Sequence, residues 1–181
     1  MNAAALLQAL SFAAHQHRNQ KRKDVEASPY IKHPIEVAEV LAVEGGVTDE
    51  TLLVAAVLHD TVEDTETTLG QLRERFGEAV AALVGEVTDD KSLLKADRKS
   101  LQVVHAATAS QRAKQLKIAD KTCNLRDIAA APPAGWSPDR KREYLAWARS
   151  VVEGCRGVNP GLESAFDAAL DEATRVISGG A

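Results

Sequence analysis

Apolar residues recur at helical spacing through most of the chain. Leu6, Leu7, Leu10 and Ala14 share a face in the opening segment Met1–Ala14, and Val80, Leu83, Val84 and Val87 follow the i, i+3, i+4, i+7 pattern of an amphipathic helix. Strict apolar–polar alternation, the mark of a half-buried strand, is scarce. Proline stands at 29, 34, 132, 133, 138 and 160, so nothing between Ile35 and Ala131 breaks a helix in that way. Helix ends are legible too. A helix opens near Pro34 and closes at Gly45-Gly46, and Thr48-Asp49 caps another that runs from Leu52 to about His59. Thr68 and Gln71 form a capping-box pair ahead of Leu72 and Phe76, with Gly77 as a stop. Ser110 caps a helix through Ile128, which Ala131–Gly135 ends; further helices are predicted over Asp139–Glu153 and Leu162–Ile177, with residues 178–181 frayed. The pattern predicts a single all-α domain over residues 1–181, a compact multi-helix bundle.

Composition narrows the class. With 181 residues, 45% of them hydrophobic and 27% charged, the chain can bury a sizeable core, and no run approaches the roughly 20 apolar residues of a membrane span. Cys123 and Cys155 are too few for a disulfide framework or a thiolate zinc site, which makes the cytoplasm the expected compartment. A net charge of −4 argues against nucleic-acid binding through bulk positive charge. The basic residues nevertheless cluster in His17–Lys23, in Lys91, Lys95, Arg98 and Lys99, and in Arg140–Arg142. On an acidic chain, three such clusters point to a local site for a small polyanion.

The densest chemistry lies in His59-Asp60-Thr61-Val62-Glu63-Asp64, directly after an apolar run. Carboxylates beside an apolar helix end need a cation, a basic ligand or water, because burying them alone costs several kcal/mol, roughly. If the helix continues, His59 shares a face with Glu63 and Asp60 with Asp64. His33 stands in Pro29-Tyr30-Ile31-Lys32-His33-Pro34, and Asp120 in Lys117–Asp127. Tyr30 is expected to be a packing residue of the Pro29–Pro34 turn.

In their order along the chain these segments resemble the HD-domain phosphohydrolases, and more narrowly the hydrolase domain of the RelA/SpoT family and its stand-alone small alarmone hydrolases. The resemblance runs from Phe12-Ala13-Ala14 to about Tyr144, through Arg22-Lys23-Asp24, Pro29–Pro34, His59–Thr65, Glu86–Lys91 and Asp120–Asp127. It implies an HD-type bundle in which His33, His59, Asp60 and Asp120 bind one divalent metal, usually Mn²⁺. Two imidazoles and two carboxylates suit that ion, though Zn²⁺ or Fe²⁺ also accept them. It implies that Glu63 and Asp64 assist proton transfer, with the acid and base roles left open, and that Arg22, Lys23, Lys95, Asn124, Arg140 and Tyr144 hold the nucleotide. Leu94, where relatives often have proline, and Cys123, in place of another apolar residue, depart from the pattern away from this chemistry.

The implied function is removal of the 3′-pyrophosphate from ppGpp or pppGpp, giving GDP or GTP and lowering the alarmone of the stringent response. Two alternatives remain at this stage: an HD phosphohydrolase acting on another phosphorylated nucleotide, such as a 2′-phosphatase for NADPH, or a non-catalytic guanine-nucleotide sensor. The family's synthetase module is as large as this whole chain, so no synthetase activity is expected. The expected partner is a small nucleotide, with no nucleic acid or membrane, and a homo-oligomer is left open.

Overall fold

The computed structural model describes residues 3–179. Helices account for the fold, and among the described residues the only β pairing is an isolated antiparallel bridge between Lys21 and Pro29. In chain order the helices are α1 (Ala3–Gln16), α2 (Lys32–Glu39), α3 (Glu50–Leu58), α4 (Thr61–Asp64), α5 (Leu69–Phe76), α6 (Glu78–Val87), α7 (Lys95–Ala106), α8 (Gln111–Ala130), α9 (Pro138–Glu153) and α10 (Pro160–Gly179). A π-helical turn, Val40–Glu44, follows α2. None of the helices is long and apolar enough to cross a membrane.

Helix α3 is the centre of the bundle because its sequence leaves it no wet face. Every residue from Leu52 to Leu58 is buried, against α1, α2 and α6, as expected of a helix apolar all round. Helix α8 is the second axis. Leu116, Ile118, Ala119, Cys123, Leu125 and Ile128 are buried along it, and α10 packs on it with Phe166 fully enclosed. The end of α3, the middle of α8 and the start of α2 position the candidate metal ligands, so the core itself fixes where they stand.

The local signals read from the sequence are present. The Asp49 side chain accepts from Leu52 N at 3.3 Å, Ser110 Oγ from Ala113 N at 3.2 Å, and Thr68 and Gln71 bond reciprocally as a capping box. Gly77 takes φ +88°, a left-handed conformation that turns the chain from α5 into α6 without a Cβ clash. Helix α3 ends at Leu58, next to the expected end at about His59, and Thr61 Oγ1 donates to Leu58 O at 2.7 Å in the gap before α4. Two differences stand out. Helix α7, which the sequence shows as a basic cluster, has Ala106 as its one fully buried residue. Helix α10 starts at Pro160 and continues through Gly179, past the expected end at Ile177; positions 180 and 181, and Met1 and Asn2 at the other end, lie outside the described residues.

Asn159 ties three of these elements together. Its Oδ1 accepts from Gly161 N and Leu162 N at 3.1 and 3.2 Å, capping α10, while its Nδ2 donates to Gly45 O at 2.9 Å and Gln115 Oε1 at 3.1 Å. Replacing Asn159 by Ala removes the cap and leaves the Gly45 carbonyl short of a donor, an expected loss of about 2 kcal/mol in denaturant unfolding. Asn159→Asp keeps the cap alone and is expected to fall between that variant and the parent.

Candidate active site

The start of α2, the α3–α4 break and the middle of α8 converge on one small cluster. His59 caps the end of α3, and its Nδ1 lies 2.8 Å from Ala56 O; since a carbonyl can only accept, Nδ1 carries the proton. In a neutral ring, Nε2 then presents a lone pair. That atom is buried, has no hydrogen-bond partner and lies 3.0 Å from Asp60 Oδ2. Two acceptors face each other there, an arrangement that calls for a proton or a cation. His33 adds a second imidazole: its Nε2 is 3.2 Å from Asp120 Oδ1 and 3.8 Å from Asp60 Oδ2, and its ring centroid is 5.4 Å from that of His59. Candidate ligand atoms of His33, His59 and Asp60 all lie within 4.8 Å of one another, and Asp120 joins them through its contact with His33. A mixed N/O set built around an orphaned, buried imidazole nitrogen fits a divalent cation.

The electrostatics carry the same message. Burial lowers the His59 pKa, but Asp60 foremost among its neighbours more than reverses this and raises it to about 9. Burial pushes both carboxyls up; His59 beside Asp60, and Lys121 beside Asp120, nevertheless bring them well below the ordinary carboxylate range. Each candidate ligand carboxylate is also aimed by a neighbour. Tyr30 OH donates to Asp60 Oδ2 at 2.6 Å, Lys121 Nζ to Asp120 Oδ2 at 2.7 Å, and Asn124 Nδ2 to Asp120 Oδ1 at 2.7 Å. Tyr30 therefore does more than pack. Its ring does rest on His17 and His33, with centroids 4.9 and 6.0 Å away, and that contact turns its hydroxyl toward the cluster.

Glu63 and Asp64 are neighbours in sequence but face different surroundings. Glu63 Oε2 accepts from Asp89 N at 3.2 Å, Oε1 lies 3.6 Å from Arg98 Nη1, and burial raises its pKa. Asp64 is ion-paired to Lys91 and accepts from Gln20 Nε2 at 3.0 Å, while Gln20 Oε1 meets His17 Nδ1 at 2.7 Å.

Three cavities open at this point. The smallest, about 190 Å³, is lined by His33, His59, Asp60, Glu63, Asp120 and Asn124 among others. A second, about 350 Å³, shares Tyr30, His33 and Asn124 with it and adds Arg22, Lys23, Asp64, Trp136 and Tyr144. A third, about 580 Å³, shares Asp89 and Gln102 with the first and holds Lys95, Lys99, Arg140, Trp147 and again Tyr144. The sequence-read residues thus gather around one branched cleft. Arg22 is ion-paired with Asp127, while Arg140 lies 4.4 Å from the Trp136 ring centroid. Residues the sequence reading did not place in the site are Tyr30, Lys121, Trp136 and Trp147, while Lys99 entered only through its basic cluster. A usable signal was present: both tryptophans of the chain fall within twelve residues of each other, flanking Tyr144, and the three rings meet in series, tilted and edge-on, with centroids 5.7 and 5.2 Å apart.

A family model described as HD domain matches residues 9–146. The guanosine-3′,5′-bis(diphosphate) 3′-pyrophosphohydrolase MESH1 of Homo sapiens is 55% identical over 164 residues, covering 91% of this chain and 92% of that protein. The enzyme of the same name from Drosophila melanogaster is 48% identical, with the same coverage of both chains. A solved structure of a metazoan orthologue of SpoT, described as hydrolysing ppGpp, superimposes with a TM-score of 0.90 at 46% identity, over 93% of this chain and 94% of that one.

The raised His59 pKa has a testable consequence for protein stripped of metal. Because folding raises it from 6.5 to about 9, the stabilisation it brings is complete below pH 6.5 and is lost as pH climbs through 9. Chelator-treated protein is expected to melt several degrees lower at the alkaline end of that window, and Asp60→Asn, which removes the main cause of the rise, is expected to flatten the profile.

Proposed function

The chain belongs to the HD domain family, and we propose that it hydrolyses ppGpp or pppGpp, releasing pyrophosphate from the ribose 3′ oxygen and leaving GDP or GTP. The observation that carries this reading is the branched cleft: a small polar cavity at the His–Asp cluster with a cationic, aromatic arm on either side. A nucleotide bearing diphosphates at both ends of its ribose asks for that layout, with one group at the centre and the base and other diphosphate held apart. The close relatives named for this activity support the same reading.

His33, His59, Asp60 and Asp120 are the proposed ligands of one divalent ion, Mn²⁺ on this reading, which when bound supplies a Lewis acid for water and the phosphoryl oxygens. The remaining work falls to the chain. Glu63 faces the small cavity with its proton affinity raised by burial, which suits it to take a proton from the attacking water and return one to the ribose 3′ oxygen. Asp64, steadied by Gln20 and Lys91, lines the arm next to it and orients the ribose side. Asn124 has its carboxamide at the junction of the two cavities. Arg22 and Lys23 line the arm assigned to base and phosphate, Tyr144 offers a stacking face, and Lys95 and Arg140 anchor the 5′-diphosphate. The reading puts the protein's action in the cytoplasm, with neither nucleic acid nor membrane as a partner.

Turnover of a nucleotide panel in the presence of Mn²⁺ tests the reading. Conversion of ppGpp to GDP, with kcat/KM above that for NADPH, is expected; an enzyme that releases no pyrophosphate would refute it. His59→Ala and Asp120→Ala are expected to stay folded but to lose the roughly one bound ion per chain, and full occupancy by elemental analysis in both would remove the ligand assignment. Glu63→Gln should keep the ion and the KM yet lose on the order of a hundredfold in kcat, and an unchanged rate would leave Glu63 a mere helix-end charge.

A further inference from the structure

We propose that Lys117 is a further catalytic residue of this reaction, its ammonium binding the non-bridging oxygens of the 3′-diphosphoryl group as that group passes to water. The inference rests on the functional reading above and extends it to a residue without an assigned role. Lys117 lies on α8 one turn before Asp120 and is 8% exposed. It lines the 190 Å³ cavity together with His33, His59, Asp60, Glu63 and Asp120.

Its surroundings provide a cation with no committed counter-charge. Asp120 is engaged on both oxygens, by Lys121 and Asn124; Asp89 Oδ2 accepts from Gln102 Nε2 at 2.7 Å; Glu63 is taken up by the Asp89 amide and Arg98. Among the described residues no hydrogen bond or ion pair engages the Lys117 side chain. Holding an ammonium out of water without a partner is costly, and methionine would fill much the same space without that cost. Burial, and then Lys121, lower its proton affinity, as they do for any cation held without its counter-ion. An anion entering the cavity offsets the cost.

The reaction delivers such an anion. The water oxygen bonds to the phosphorus attached to the ribose 3′ oxygen, the bond from that phosphorus to the 3′ oxygen breaks, one water proton passes to Glu63 and one proton returns to the 3′ oxygen. Pyrophosphate leaves with both phosphoryl groups. Negative charge on the non-bridging oxygens redistributes during this transfer, and an ammonium fixed beforehand on a buried helix stabilises it without having to reorganise.

Lys117→Met separates this role from packing and from metal binding. In the Mn²⁺-loaded protein we expect kcat to fall on the order of a hundredfold with a smaller change in KM. Binding of inorganic pyrophosphate, followed by calorimetry, should weaken on the order of tenfold or more. Ion content should match the parent, and the metal-free variant should melt at or above the parent's temperature. Parental turnover with parental pyrophosphate affinity would overturn the proposal, as would a loss of activity that simply tracks a loss of bound Mn²⁺. If the parent itself leaves ppGpp intact, the functional reading fails, yet pyrophosphate calorimetry still decides for Lys117: weaker binding in the variant supports the anion site, and equal binding refutes it.

Discussion

Keeping two carboxylates and two imidazoles together out of water is the constraint on which the rest of this structure depends. Each buried charge costs several kcal/mol, roughly, unless its neighbours answer it. The fold answers in layers. Asp60 has His59 on one side and the Tyr30 hydroxyl on the other, and Asp120 has Lys121, Asn124 and His33. These partners come from segments far apart in sequence, so the cluster can form only after α2, α3 and α8 have packed. The apolar run Leu52–Leu58 lets that packing happen in one way, because a helix buried on all sides has no second face to present.

The α3–α4 break solves a geometric problem that an unbroken helix would leave. Consecutive residues on a helix point about 100° apart, which already sends Glu63 and Asp64 in different directions. The interruption after Leu58 falls at His59 and Asp60, so the candidate ligand pair and the Glu63–Asp64 pair stand on either side of the start of α4. Glu63 reaches the cavity of the cluster, and Asp64 reaches the arm beyond it, where Gln20 and Lys91 meet it.

Much of this was readable from the chain because it is local. A capping box, an Asp49 cap and a glycine stop each involve residues within a few positions, and the motif order around His33, His59 and Asp120 points to residues that the fold brings together. What stayed hidden depends on long-range placement. The Tyr30 hydroxyl finds Asp60 thirty residues away, and Trp147 donates to Lys99 O across a gap of 48. Helix α7 escaped notice because it leans on α9 with few buried side chains.

Tyr144 and Trp136 line both of the larger cavities at once, which has a consequence for how ligands of different length are felt. A fragment confined to one arm leaves the other arm, and the wall they share, in contact with water. A molecule long enough to enter both arms gathers the two sets of contacts after losing its translational freedom once. Affinities measured with nucleosides or single diphosphates will therefore understate that of the whole ligand by more than the sum of the missing contacts, and inhibitors built from one half will look weaker than the same half does when linked.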